Sequence, residues 1–164
     1  MKYHNKICIS RHDMNHSPVW LFDLDNTLHN AEAGIFYIIN RAMTEYMAGR
    51  LKGRKAVFSN GPSFYVRALV ETLGLEAHFD GLFGTDDFGL LYKPNPQAYL
   101  NVCRLLGVKP EQCIMVDDSA DNLHQAKALG MKTVWYGEKA HPLPFADGIA
   151  KDMQGLLDFA QNLP

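Results

Sequence analysis

A chain of 164 residues, 47% apolar and 21% charged, is sized for one ordinary domain with a real core. Sixteen Lys+Arg against eighteen Asp+Glu leave a net charge of -2, which argues against a nucleic acid or an anionic membrane as partner and makes small or neutral ligands the default. Cys8, Cys103 and Cys113 are odd in number, lack metal-type spacing and sit among apolar residues, so free buried thiols in a reducing, cytoplasmic setting are expected.

Residues 1–17 are polar and His-rich, with only Ile7-Cys8-Ile9 apolar in a row, too short for a signal-peptide core or a spanning helix. They read as a loosely ordered arm with a short edge strand at 6–10, and the irregular spacing of His4, His12 and His16 favours solvated side chains over a metal tract. Residues 18–164 read as a single domain. Its first strand is the apolar run Val19-Trp20-Leu21-Phe22, which ends abruptly in Asp23 and Asp25. Ile35, Ile38, Ile39, Ala42, Met43 and Tyr46 recur at helical spacing over 33–48, and Gly49 supplies a stop. A strand at 55–59 leads through Asn60-Gly61-Pro62-Ser63 into a helix carrying Phe64, Val66, Leu69, Val70 and Leu73 to Gly74. Leu82 and Phe83 mark a short strand. Asn95-Pro96 caps a helix with Tyr99, Val102, Leu105 and Leu106 before Gly107. A buried strand at 113–116 precedes a helix that starts at Asp118-Ser119 and runs through Leu123, Ala126 and Leu129 to Gly130. Strands at 133–135 and 148–150 and a helix over 152–162 complete a β/α alternation. That alternation predicts an α/β fold: a three-layer, mostly parallel sheet with helices on both faces.

The strand ends carry the chemistry. Two carboxylates held ~4 Å apart repel by about 4 kcal/mol at an effective dielectric of ~20, so Asp23 and Asp25 together call for a cation or a shared proton. Ser59-Asn60, at the end of the second strand and just before a helix, offers a hydroxyl, an amide and backbone N–H groups to an anion such as phosphate. Lys93, fixed by Pro94, adds a cation that can neutralise a transferring group. Asp117-Asp118 form a second acidic pair at a buried strand end, and two such pairs imply a hard, oxygen-ligated cation such as Mg²⁺. Each piece alone has an ordinary explanation: a turn at Asp25-Asn26, a helix cap at Ser59-Asn60, a solvated Lys93, a helix N-terminus at Asp117-Asp118. Their conjunction, in one order along the strand ends, is what makes a site.

The ordered set Asp23-x-Asp25-x-Thr27, Ser59, Lys93-Pro94 and Asp117-Asp118 resembles the haloacid dehalogenase-like (HAD) superfamily of aspartate-nucleophile phosphohydrolases. The wording around it, Phe22 to Asn30, Phe58 to Pro62 and Met115 to Ser119, is similar to the pyrimidine 5′-nucleotidase-like branch. The resemblance implies a phosphatase that works through an aspartyl phosphate on Asp23, with Asp25 protonating the leaving alcohol and then activating water. It implies Mg²⁺ held by an Asp23 carboxylate oxygen, the Asp25 carbonyl and the Asp118 carboxylate, with Asp117 acting through a water. Ser59, the Asn60 N–H and Lys93 would bind the phosphoryl oxygens, with Thr27 and Leu24 supporting the nucleophile loop. Dehalogenases of the superfamily lack the second Asp because halide needs no proton.

The departure from the family is a missing cap. Members of this branch carry a helical cap between the nucleophile and serine motifs, whereas only 28–58 lies between them here, and 60–92 has no room for one either. The run Ala48-Gly49-Arg50-Leu51-Lys52-Gly53-Arg54-Lys55 reads like a splice where a cap has been deleted; its basic residues suit a helix end better than a polyanion patch. If the 33–48 helix is the crossover, this run lies at the pole opposite the site. An open site implies slow, unselective hydrolysis of small phosphomonoesters, nucleotides included, or a neighbouring subunit of a homo-oligomer covering it. A phospho-receiver domain is disfavoured by motif order. A catalytically poor phosphate-binding or interaction module on the same fold is the alternative.

Overall fold

The computed structural model describes residues 17–25, 27–28, 50–137 and 141–163. The arm before residue 17 with its edge strand, Cys8, Asn26 and the helix expected over 33–48 lie outside the described residues. No helix among the described residues is long and apolar enough to cross a membrane.

The strands are β1 (Val19–Phe22), β2 (Arg54–Phe58), β3 (Gly81–Phe83), β4 (Cys113–Asp117), β5 (Lys132–Tyr136) and β6 (Gly148–Ala150). The helices are α1 (Ser63–Thr72), α2 (Pro96–Leu106), α3 (Ala120–Ala128) and α4 (Met153–Gln161). All strand pairings are parallel, in the order β3-β2-β1-β4-β5-β6. The expected α/β architecture is the observed one, and its order reverses between β1 and β4, where doubly wound sheets open a crevice at the carboxyl ends of the strands.

Period-two alternation sorts the core into two layers. Trp20 and Phe22 of β1, Val57 of β2 and Ile114 and Val116 of β4 pack with Val66 and Val70 of α1 and with Leu156 and Leu157 of α4. Val19 and Leu21, Ala56 and Phe58, and Cys113 and Met115 face the other way, onto Tyr99, Val102 and Leu106 of α2 and Leu123 and Ala126 of α3. Phe58 anchors that second layer through edge-on contacts with Phe88 and Tyr99, each at 5.1 Å between centroids. Cys103 and Cys113 are free and buried, as expected.

Two helix assignments need correction at single residues. Phe64, expected on the buried face of α1, is 74% exposed, because the buried stripe of that helix runs through Ser63, Val66 and Val70. Leu105 of α2 is likewise turned outward while Val102 and Leu106 are buried.

Residues 50–55, the basic part of the 48–55 run, sit at the amino-terminal edge of the sheet, at the pole opposite the strand ends that carry Asp23 and Asp117. The Lys52 carbonyl accepts from the Trp20 indole at 3.0 Å. The Arg54 guanidinium donates to the Leu106 carbonyl at 3.0 Å, so Arg54 complements the C-terminus of α2. Gly53 holds φ +104 beside Pro18, where a Cβ would collide with the Pro18 carbonyl.

Candidate active site

β1 and β4 run in register, Phe22 opposite Val116, and the Asp23 N–H extends that ladder onto the Val116 carbonyl at 2.9 Å. The alternation that turns Leu21 and Met115 towards α2 and α3 turns Asp23 and Asp117 the same way. Lys93 arrives there from the segment that leads into α2. Its ammonium, 0% exposed, donates to Asp23 Oδ1 at 2.7 Å and to Asp117 Oδ2 at 2.9 Å. It also lies 5.0 Å from the centroid of the Phe58 ring. Lys93 is therefore a buried cation that relieves two carboxylates at once.

Asp117 is buried and its oxygens are fully engaged. Oδ1 accepts the Ser119 N–H at 2.8 Å and the Asn122 amide at 3.1 Å. Oδ2 accepts Asn122 at 3.0 Å in addition to Lys93. The Tyr99 hydroxyl donates to the Asn122 carbonyl at 2.9 Å, tying α2 to α3 beneath the site. Ser119 is the N-cap of α3. Neither Asn122 nor Tyr99 was a candidate from sequence. Asn122 lies on the first turn of the helix that follows the acidic pair, facing back to the strand end, and that placement was the available signal.

Asn60 acts through its side chain as well. Its amide nitrogen donates to the Lys93 carbonyl at 3.1 Å and its amide oxygen accepts the Lys93 N–H at 2.7 Å, clamping that main chain from both sides. Ser59 is buried, and its Oγ accepts the Gly61 N–H at 2.9 Å, leaving its own O–H to donate. Ser59-Asn60 does not cap α1. Asp86, from the 3-10 turn Thr85–Phe88, takes that place by accepting the Ser63 N–H at 2.6 Å and the Ser63 hydroxyl at 2.5 Å. The Asp86 carboxyl is held below its ordinary range by those bonds.

The two carboxylates of the first acidic pair part company. Asp23 faces Lys93, whereas Asp25 Oδ1 accepts the Tyr65 hydroxyl of α1 at 3.0 Å. The loop between them and Leu28 is closed by the Leu28 N–H on the Leu24 carbonyl at 3.0 Å. Thr27, expected to support this loop, is buried, and its hydroxyl has no hydrogen-bond partner among the described residues; Leu24 is buried in the α1 and α4 layer.

Burial pushes the Asp23 carboxyl up to about 7; Lys93 pulls against this, while Asp117 and Asp118 add to it. The Lys93 ammonium is held above the ordinary lysine range: burial opposes its charge, and Asp117 and Asp23 outweigh burial. Asp23, Asp117 and Asp118 bring carboxylate oxygens within 4.8 Å of one another. That donor set fits a hard cation such as Mg²⁺. Of the three, Asp117 would meet a cation with both oxygens already hydrogen-bonded, to Lys93, Asn122 and Ser119.

The comparisons with known proteins agree with this geometry. A family model described as haloacid dehalogenase-like hydrolase matches residues 44–130, a stretch that holds Ser59, Asn60, Lys93, Asp117 and Asp118. The chain is 26% identical over 168 residues to glyceraldehyde 3-phosphate phosphatase of Pyrococcus furiosus, covering 98% of this chain and 70% of that one. It is 34% identical over 112 residues to phosphoglycolate phosphatase of Escherichia coli (strain K12), covering 65% of this chain and 43% of the relative, so it spans less than half of that protein's length. Among solved structures, a HAD phosphatase from Thermococcus onnurineus aligns at 26% identity with a TM-score of 0.61, covering 72% of this chain and 54% of that one. The L-2-haloacid dehalogenase from Xanthobacter autotrophicus aligns with a TM-score of 0.74 at 14% identity over 91% of this chain and 100% of that one, a likeness of fold. With more than half of its 164 residues matched by the family model, the chain belongs to the haloacid dehalogenase-like hydrolase family.

Proposed function

We propose that the chain is a phosphomonoesterase that transfers the phosphoryl group of a small ester to Asp23 and then to water. The observation that carries this reading is the buried Lys93 ammonium fastened to Asp23 at 2.7 Å and to Asp117 at 2.9 Å, at the reversal point of the sheet. A cation beside the attacking carboxylate suits phosphoryl transfer, where positioning and charge neutralisation dominate. Asp23 and Asp118, with the Asp25 carbonyl and Asp117 in support, would hold Mg²⁺, which would supply further neutralisation of the phosphoryl oxygens.

In the first step an Asp23 oxygen bonds to phosphorus as the ester P–O bond breaks. The departing oxygen takes the electron pair and a proton from Asp25. In the second step Asp25 takes a proton from water, whose oxygen displaces Asp23 from phosphorus. Ser59, the Asn60 N–H and Lys93 bind the phosphoryl oxygens. The presence of Asp25 favours an ester over a carbon–halogen bond, because an alkoxide must be protonated on leaving and a halide need not be.

The interval 28–58 leaves no room for a helical cap, which supports slow and weakly selective turnover. The substrate class is small phosphomonoesters, with a 5′-nucleotide tested beside phosphoglycolate and glyceraldehyde 3-phosphate, which relatives are named for. Phosphate release from these esters and from p-nitrophenyl phosphate, with Mg²⁺ and with chelator, tests the proposal. Turnover that needs Mg²⁺ and disappears in Asp23→Asn is expected. No turnover by the parent chain overturns the enzyme reading in favour of a phosphate-binding module.

A further inference from the structure

We infer that Tyr65 is a positioning residue for the proton-transfer step, holding the Asp25 carboxylate in the rotation from which it serves the leaving group. This rests on the phosphatase reading above and adds a residue that the motifs do not contain. The phenol donates to Asp25 Oδ1 at 3.0 Å across forty positions of sequence. That bond engages one carboxylate oxygen, and in the proposed role the other, Oδ2, would exchange the proton.

The ring also lies close against Gly61. An ideal Cβ at Gly61 would lie 3.0 Å from Tyr65 Cδ1 and 3.3 Å from Ser59 Oγ. The ring thus lies over the main chain at Gly61, close enough that a Cβ there would press on it by a few tenths of an ångström. Tyr65 spans the two halves of the site: its edge covers the proposed phosphate loop and its hydroxyl reaches the proton donor. It is 37% exposed, as expected of a wall at the mouth rather than a core residue.

The chemistry gives a readout that a purely structural tyrosine would not move. When the ester bond breaks, an alkoxide must receive the Asp25 proton, whereas p-nitrophenolate leaves without one. The specificity constant reports events up to release of the alcohol, before water attacks. Misplacing Asp25 should therefore lower kcat/KM for the alkyl ester and spare the aryl ester.

The experiment measures kcat/KM of the parent, Asp23→Asn and Tyr65→Phe chains with phosphoglycolate and with p-nitrophenyl phosphate. Tyr65→Phe is expected to fall about tenfold on phosphoglycolate and to stay within about twofold of the parent on p-nitrophenyl phosphate. Retained p-nitrophenyl phosphate turnover also certifies that the variant is folded. Equal falls on both substrates, or no fall on either, overturn the inference while leaving the phosphatase reading intact. Absence of Asp23-dependent turnover in the parent overturns that reading and the inference with it.

Discussion

The floor of the site and its mouth are built to different standards. On the floor, Lys93, Asp117 and Asn122 are buried and joined by bonds of 2.9 to 3.1 Å, with Tyr99 bracing Asn122 from below. At the mouth, Asp25 is half-buried and accepts from the 37%-exposed Tyr65, with Phe64 beside it 74% exposed. A closed polar network in low dielectric fixes where charge sits, and leaving any member unpaired is costly. A half-exposed contact fixes far less. On the proposed phosphatase reading, the groups that would serve attack on phosphorus are over-determined by this fold, while those that would recognise the rest of the substrate are not.

The largest effect should come from the centre of the floor. Lys93→Met leaves the Asp23 and Asp117 carboxylates buried without their cation, expected to cost about 3–5 kcal/mol in urea unfolding. Phosphate release should fall at least about a hundredfold, the scale seen when one group that stabilises transition-state charge is removed. A Lys93→Met chain with parental stability and turnover would show that the floor is no more critical than the mouth.

A smaller effect, with an unusual sign, concerns pH. The Asp23 carboxyl is raised from 3.8 to about 7 in the fold, so between those values the folded chain carries a proton that the unfolded chain has released. Stability of the metal-free protein should therefore rise as pH falls from 7 to 5, by about 2 kcal/mol. Asp86 works in the opposite sense: its carboxyl is lowered by the bonds from Ser63, so its contribution is present above the ordinary Asp range and lost only in stronger acid. Chemical denaturation of chelator-treated protein at pH 5, 6 and 7 measures the slope, which should flatten in Asp23→Asn. A slope of the opposite sign in the parent would mean that Lys93 outweighs burial at Asp23.

Next in size is Asn122→Ala, which strips a donor from both Asp117 oxygens and should cost about 1–3 kcal/mol. Tyr65→Phe, at the mouth, should stay within about 0.5 kcal/mol of the parent in the same melts. Equal costs would erase the distinction between the two regions.

What sequence could reveal follows the same division. β1 and β4 are apolar runs that end in acid, so Asp23 and Asp117 could each be placed at the carboxyl end of a strand from the sequence pattern alone. Lys93 stood out because Pro94 follows it, although its pairing with both carboxylates depends on a sheet order that is not written locally. Asn60 looked like part of an anion-binding loop, and its grip on the Lys93 main chain, 33 positions away, could not be read from spacing. Asn122 and Tyr99 carry ordinary helical positions, and only the packing of α2 against α3 brings them beneath Asp117. Phe64 was misplaced because hydrophobicity suggested burial where the helix stripe of Val66 and Val70 already filled the core.

Two ties of different kind join the same pair of elements. Arg67 of α1 reaches Asp87 at 3.4 Å with side chains 44% and 21% exposed, while Asp86 binds the Ser63 N–H at the helix start at 2.6 Å. The first is a long ion pair in water, where attraction is offset by side-chain ordering and screened by salt, so Arg67→Ala should change stability by less than about 0.5 kcal/mol. The second satisfies a helix N-terminal donor that Pro62 cannot cap, so Asp86→Ala should cost about 1 kcal/mol. Adding 0.5 M NaCl to the melts should erase the Arg67 effect and leave most of the Asp86 effect, because a hydrogen bond to a helix N–H is less screened than an exposed pair. If the two variants lose stability equally and with equal salt dependence, α1 is held to the turn after β3 by charge alone, and the mouth is looser than the floor for electrostatic rather than hydrogen-bonding reasons.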